Sequence, residues 1–200
     1  MAFIISLSLA LIQIYLLPAH LMPQLVMAIF IVLYALFVEK RDLKSLGISA
    51  QNIKESAIAG LVVGAAEFLY IGVGIIMLYC DLGLPEAFVY LFNNFNPAPR
   101  RILHYLYIGF SEEIIFRGFL QRRFLESMKP TRAILSIALL FTLIHIGNYP
   151  LSLCGILTCL LNLLGGSLIM GYLMYRTDNI LSVGLLHTLE HFVELIGGMP

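Results

Sequence analysis

Ionisable residues stand inside stretches of sequence that are otherwise apolar. They are Glu112, Glu113 and Arg117 in one stretch, His145 in a second, and His187, Glu190, His191 and Glu194 in a third. Each such group costs ~2.5–3.5 kcal/mol at the centre of a membrane helix, so it normally faces a protein interior or a wet cavity. A carboxylate and several imidazoles are the groups that activate a water molecule and stabilise a developing oxyanion. The pattern indicates a buried polar site in which a carboxylate could act as a general base.

The spacing separates the two adjacent acids. Glu113 and Arg117 are four residues apart with the acid first, the better orientation for an ion pair on a helix. Glu112 points about 100° away from Glu113 around the helix, so it faces a different neighbour. We expect Glu113 to pair with Arg117 and Glu112 to remain free to act as a general base.

The composition identifies the environment of these groups. Of the 200 residues, 60% are hydrophobic and 12% are charged, whereas a soluble domain has about 45–50% and about 25%. Basic and acidic residues balance at 12 each, which excludes the basic excess of a nucleic-acid binder. The three cysteines fit neither a disulfide framework nor a zinc-ligand spacing. We predict one all-α transmembrane domain over residues 1–200.

Seven apolar stretches are candidate membrane spans, for which roughly 17–25 residues are needed. They are Ala2–Leu17, Leu21–Val38, Ala57–Tyr79, Leu103–Phe119, Ala133–Ile146, Leu151–Tyr175 and Ile180–Ile196. The first and fifth are short. The sequence therefore predicts a polytopic bundle of about seven helices.

Basic residues in short loops set the orientation of such a bundle. With seven alternating spans, nine of them fall on one side, and Arg100 and Arg101 fall on the other. The nine are Lys40, Arg41, Lys44, Lys54, Arg122, Arg123, Lys129, Arg132 and Arg176. We expect a multi-pass protein of the cell membrane with a cytoplasmic N-terminus.

The segment Asp81–Arg101 is too polar to span. Its apolar residues follow the i, i+3, i+4, i+7 spacing of one helical face, which predicts a helix lying in the outer interface. They are Phe88, Leu91, Phe92 and Phe95. Pro85 is expected to start this helix, and Pro97 and Pro99 to end it. A gate over a cavity is the alternative interpretation.

Depth supports one common polar site. At 1.5 Å per residue, Glu112 lies ~14 Å into its span and His145 ~18 Å into its own. His187 and His191 lie about 10 and 16 Å into the last span. The hydrocarbon is ~30 Å thick, so all four groups reach its middle third.

Three motifs resemble those of the CPBP intramembrane proteases, the CAAX protease and bacteriocin-processing (Abi) family. Ser111–Leu120 carries E-E-x-x-x-R-G, and Phe141–His145 carries F-x-x-x-H. The third family motif is H-x-x-x-N, which His187 begins, although position 191 is His instead of Asn. The resemblance covers about residues 100–192.

The resemblance implies a role for each motif residue. Glu112 would deprotonate the attacking water, which His145 would help to hold. His187 would donate to the oxyanion, and His191 occupies the position of the asparagine that shares this task. A neutral imidazole donates through one nitrogen only, so donation by His191 depends on tautomer and pH. The motif residues that would shape the site are Glu113 and Arg117.

The function that follows is an intramembrane endopeptidase acting on a membrane-associated or prenylated peptide or protein. The resemblance implies a mechanism without a cofactor. The expected partners are the peptide substrate and the lipid bilayer, with no nucleic acid, while the oligomeric state stays open.

Three alternatives remain. His187–His191 also matches H-x-x-E-H, a zinc motif, in which His187 and His191 would be ligands with His145 or Glu112 as a third. The altered third motif and the short chain fit a non-catalytic membrane protein, such as a bacteriocin-immunity factor or a scaffold. A proton-coupled transporter would also bury Glu and His, but the sequence has no inverted repeat.

Overall fold

The computed structural model describes residues 23–148, 156–157 and 160–196. Seven helices are named α1 to α7 below, and within the described residues no strand is present beyond a single bridge between Phe95 and Ile196. The prediction of an all-α fold is confirmed. The predicted span Ala2–Leu17 lies outside the described residues.

The helices coincide with the described parts of the other six apolar stretches and with the interfacial segment; residues 151–155 and 158–159 of the predicted span Leu151–Tyr175 lie outside the described residues. They are α1 Pro23–Leu33, α2 Ile53–Cys80, α3 Leu84–Asn94, α4 Pro99–Glu113, α5 Pro130–His145, α6 Gly165–Thr177 and α7 Ile180–His191. Tighter or wider helical turns extend them or stand between them. These are Tyr34–Val38, Leu43–Leu46, Ile114–Gln121, Ile146–Asn148, Leu160–Leu164 and Phe192–Leu195, and one further α-helical turn is formed by Arg122–Leu125.

One described helix is long and apolar enough to cross a membrane by itself. It is the Ile53–Met77 part of α2, with 25 residues and a length of about 38 Å at 1.5 Å per residue. Gln24–Val38 and Pro130–His145 are apolar but shorter. The count of seven spans and the orientation therefore stay predictions.

Prolines stand in the first turn of four of the helices, α1, α3, α4 and α5. Pro85 lies in the first turn of α3, as predicted, and α3 ends at Asn94. The prediction that Pro99 ends this helix is wrong, because Pro99 is the first residue of α4. A proline is well tolerated there, since the first turn of a helix leaves its N–H groups without intrahelical partners.

Helix α7 packs closely between α2 and α4. A Cβ atom on Gly60 of α2 would lie 2.2 Å from the carbonyl oxygen of Ser182, so only glycine permits this approach. A Cβ atom on Gly109 of α4 would lie 2.8 Å from Oγ1 of Thr188. Gly64 also contacts α7, so the Gly60-x-x-x-Gly64 pair makes the close contact that such motifs favour. These contacts fix the position of the histidines on α7.

Arg122 and Arg123, which follow the turn Ile114–Gln121, make charged contacts with the loop before α2 and the loop between α6 and α7. Arg123 donates to Glu39, with Nε 3.1 Å from Oε2. Arg122 pairs with Asp178 and donates to the carbonyl oxygen of Lys44 at 2.8 Å. Burial lowers the pKa of the Arg122 guanidinium, and the negative charge of Asp178 opposes this shift. The arginines thereby anchor the chain beyond α4.

Candidate active site

Three helices bring one carboxylate and two imidazoles together. Oε2 of Glu112, near the end of α4, lies 3.8 Å from Nε2 of His145 on α5. The same oxygen lies 4.0 Å from Nε2 of His187 on α7. The Glu112 and His187 side chains are 10% and 6% exposed, and that of His145 is 23% exposed. The arrangement is a mostly buried polar cluster with one more accessible side, at His145.

Hydrogen bonding fixes the tautomer of His145. Its Nδ1 lies 2.8 Å from the carbonyl oxygen of Phe141. A carbonyl oxygen only accepts, so Nδ1 carries the hydrogen. In the neutral ring, Nε2 is therefore a hydrogen-bond acceptor, and it faces Glu112.

Glu113 is the centre of a second set of contacts. Its Oε1 accepts a hydrogen bond from Arg117 at 2.7 Å, and both side chains are fully buried. The predicted ion pair is confirmed. Nδ1 of His187 lies 2.9 Å from the same oxygen. Since Glu113 pairs with a guanidinium, it is a carboxylate and His187 donates to it, which leaves Nε2 of the neutral His187 ring as an acceptor.

Arg117 makes two further contacts. It donates to Oγ of Ser167 on α6 at 2.6 Å. Its guanidinium carbon lies 4.8 Å from the centre of the Phe141 ring. Sequence reasoning missed Ser167, because a serine within an apolar stretch carries no signal that it binds a distant arginine. The arginine thus connects α4, α5 and α6 around Glu113.

His191 contacts the Glu112–His145–His187 cluster by ring stacking. Its ring stacks between Tyr105, 5.5 Å away at 3°, and His187, 5.0 Å away at 13°. Nδ1 of His191 lies 3.0 Å from Oε1 of Glu194, so it donates to that carboxylate. Nε2 is buried and without a partner among the described residues.

The backbone changes immediately after the two glutamates. Over Ile114–Gln121 the helix widens to i→i+5 hydrogen bonding, and its residues from Ile115 onward are buried. Wide turns of this kind recur at functional sites. Here the widened segment carries Arg117 inside the helix bundle.

The zinc alternative has no ready set of ligands in the described part of the chain. No group of three or more His, Cys, Asp or Glu side chains is placed there to hold a metal ion. His187 and His191 stack face to face instead of turning their nitrogen atoms toward one point. Independence from metal nevertheless stays a prediction.

A membrane-embedded helical protein with this cluster is a candidate intramembrane hydrolase, and the comparison with protein families makes the class specific. Residues 94–193 match the family described as type II CAAX prenyl endopeptidase Rce1-like. These 100 residues are half of the 200. The chain therefore belongs to the Rce1-like family, and the resemblance inferred from the three motifs is confirmed. No curated protein and no solved structure matches the chain significantly.

Proposed function

We propose that the protein is an intramembrane endopeptidase that hydrolyses a peptide bond of a membrane-associated or prenylated peptide, using water activated by Glu112. The observation that carries the proposal is the convergence of Glu112 with Nε2 of His145 and Nε2 of His187, at 3.8 and 4.0 Å. The family match supports the same reaction, since its description is that of a CAAX prenyl endopeptidase.

The attacking water lies between Glu112 and His145 in this mechanism. Both Oε2 of Glu112 and Nε2 of His145 accept hydrogen bonds, and their separation is 3.8 Å. One water within ~2.8 Å of each can donate one hydrogen to the carboxylate and the other to the imidazole. The first of these hydrogens is the proton that Glu112 removes as the water oxygen attacks the carbonyl carbon.

His187 then carries the proton to the leaving group. Glu112 passes the proton from the water to Nε2 of His187, and the imidazolium forms with its other N–H bound to Glu113. Nε2–H next protonates the amide nitrogen as the C–N bond breaks, so the proton from water ends on the released amine. The contact of 2.9 Å between His187 and Glu113 supports this role, because a carboxylate stabilises the charged ring.

His191 serves the oxyanion in its protonated form. Its Nδ1 is bound to Glu194, so a neutral ring presents an accepting Nε2 and only the imidazolium presents an N–H there. The stacking on His187 keeps this nitrogen beside the reacting centre. The asparagine that the family motif has at this position would donate at every pH.

Comparative peptidomics tests the proposal. Membranes and medium are compared from cells making the wild type, Glu112→Gln or Glu55→Gln at equal abundance. Glu55 is an exposed acid at the start of α2, so its substitution is the control. We expect new peptide termini with the wild type and Glu55→Gln only, because loss of a general base costs about 10²–10⁴-fold in rate.

A purified assay completes the test. Wild type in liposomes is offered farnesylated peptides ending in a CAAX sequence and membrane peptides found by the peptidomic comparison. Cleavage of neither, together with identical peptide termini for folded wild type and Glu112→Gln, would contradict the proposal and favour a non-catalytic membrane protein.

A further inference from the structure

A second pair of carboxyl groups, those of Glu67 and the partly buried Glu190, lies outside the proposed catalytic set. Glu67 stands at the middle of α2, fourteen residues after Ile53 and thirteen before Cys80. Its carboxyl contacts that of Glu190 on α7. Both carboxyl oxygens of Glu67 are fully buried, and no donor in the described part of the chain reaches them. The pair thus lacks the direct cation partner that Arg117 gives to Glu113.

The pair lines a cavity between α2, α6 and α7. The cavity has a volume of about 340 Å³, and its wall is mostly apolar, with Val63, Tyr70 and Ile169 among the lining residues. This volume is at the lower end of ligand pockets, which span ~300–1,000 Å³. A Cβ atom on Gly166 would lie 2.9 Å from Oε1 of Glu190, so the glycine makes room for the carboxyl group. The site combines an apolar wall with Glu190 and, behind the surface of the cavity, the covered carboxyl oxygens of Glu67.

The chemistry of this wall selects a class of ligand. Two carboxylates in contact in a low-dielectric site repel each other, so the charged pair needs a cation beside it. A cation with N–H donors supplies that charge and donates to both acids. Calcium and magnesium require about six oxygen ligands, whereas the described residues provide no group of three metal-binding side chains. An ammonium or guanidinium group on an apolar stem fits both the acids and the wall.

The depth of Glu67 in the membrane indicates which molecule supplies this cation. At 1.5 Å per residue, Glu67 lies about 20 Å from either end of α2, well inside a hydrocarbon layer of ~30 Å. The amine of a lipid headgroup stays at the surface, while the side chain of an inserted peptide reaches this depth. Glu190 follows His187 by three residues, or about 4.5 Å along α7. A ligand held at the pair therefore lies one helical turn from the catalytic set.

We propose that Glu67 and Glu190 bind the lysine or arginine side chain of a membrane-inserted peptide substrate. The proposal rests on the proposed endopeptidase function and adds a specificity: the substrate carries a basic residue close to the cleaved bond. A peptide with an apolar residue there leaves the buried acids without a cation and binds more weakly.

Binding is measured in liposomes with the inactive Glu112→Gln protein, so that cleavage plays no part. The probes are two leucine peptides of about 20 residues, enough to span a bilayer, with one central lysine or one norleucine. We expect the lysine peptide to bind roughly tenfold tighter or more. Adding Glu67→Gln and Glu190→Gln should abolish this preference, while adding Glu55→Gln should keep it.

Several outcomes would overturn the proposal. They are equal binding of the two peptides, and a lysine preference that persists when both acids are replaced. If the combined variant does not fold, dodecylamine and dodecanol are tested as competitors on Glu112→Gln protein. Displacement of the lysine peptide by the amine alone is expected, and its absence contradicts the proposal.

The experiments also distinguish a peptide side chain from an amphiphilic amine as the source of the cation. They distinguish the binding proposal from the endopeptidase proposal as well. Binding of dodecylamine that depends on Glu67 and Glu190, without a preference between the peptides, would assign the pair to amphiphilic amines and overturn the peptide ligand. A lysine preference in binding, with no proteolysis by the wild type in any assay, would contradict the endopeptidase function and leave the binding site standing.

Discussion

Glu113→Gln is the substitution that best tests how His187 works. It keeps the shape of the side chain and removes its charge. In the structure one oxygen of Glu113 accepts from both Arg117, at 2.7 Å, and His187, at 2.9 Å. The proposed mechanism charges His187 during the reaction, so the carboxylate contributes more to the transition state than to the resting enzyme.

The expected loss of rate can be worked from that single contact. A hydrogen bond to a charged group contributes about 1.5–3 kcal/mol. At 1.36 kcal/mol for each factor of ten, its loss lowers kcat by roughly 10- to 150-fold. Glu113 contacts His187 and not the proposed position of the substrate, so KM should change little.

The assay uses a quenched farnesylated peptide and enzyme in liposomes, with rates expressed per folded protein. Glu113→Gln also leaves Arg117 buried without its counter-charge, which costs about 3–5 kcal/mol of stability. Ser167→Ala is therefore the matched control, because it removes another partner of Arg117, at 2.6 Å, without touching His187. We expect a lower Tm for both variants and the large fall in kcat for Glu113→Gln alone.

An unchanged or higher kcat in Glu113→Gln would refute the reasoning. A glutamine amide can donate to Nδ1 of His187 and so leave a hydrogen on Nε2. If His187 were a fixed donor to the oxyanion, this tautomer would be the useful one and the variant would remain active. The two roles of His187 therefore predict opposite results for one substitution.

Three other outcomes follow from the structure. An asparagine amide donates at every pH, whereas a histidine ring donates through Nε2 only in some protonation states, so His191→Asn should make activity depend less on pH than in the wild type; identical pH profiles would argue against His191 as a donor. Gly60→Ala should cost about 1–3 kcal/mol because its Cβ meets Ser182, whereas Gly74→Ala, with open space around it, should not lower Tm. Purified protein should contain no stoichiometric zinc and keep its activity in a chelator, and zinc that is lost in His187→Ala would contradict a metal-free mechanism.

The local parts of the site were predictable from sequence because helical spacing is short-range. The interval between Glu113 and Arg117 specifies an ion pair on any helix, and the 100° offset of Glu112 specifies that it faces elsewhere. The structure has both features. Residues that determine helix starts were readable for the same reason, although Pro99 shows the limit: a proline does not say whether it follows one helix or begins the next.

Contacts between distant helices were not predictable in the same way. Depth placed His145 and His187 in the middle third of the hydrocarbon, but depth does not specify which helices are neighbours. Ser167 is a case in point, because its hydrogen bond to Arg117 crosses 50 residues of sequence. The close approach of α2 and α7 had a signal in Gly60 and Gly64, yet the pair names only one side of the contact.

Glu67 shows that a signal in the sequence can be present and still be missed. It is a lone acid near the centre of the longest apolar helix, whereas the other buried acids occur in recognisable motifs or beside them. The balance of charge shows why it matters: among the described residues, the carboxyls of Glu67, Glu112 and Glu113 are buried and Glu190 is partly buried, while one guanidinium, that of Arg117, is buried with them. Arg117 pairs with Glu113, and the proposed water and the two histidines lie beside Glu112. The remaining two acids have no such partner among the described residues, which makes them the part of the bundle where a cationic ligand is best accommodated.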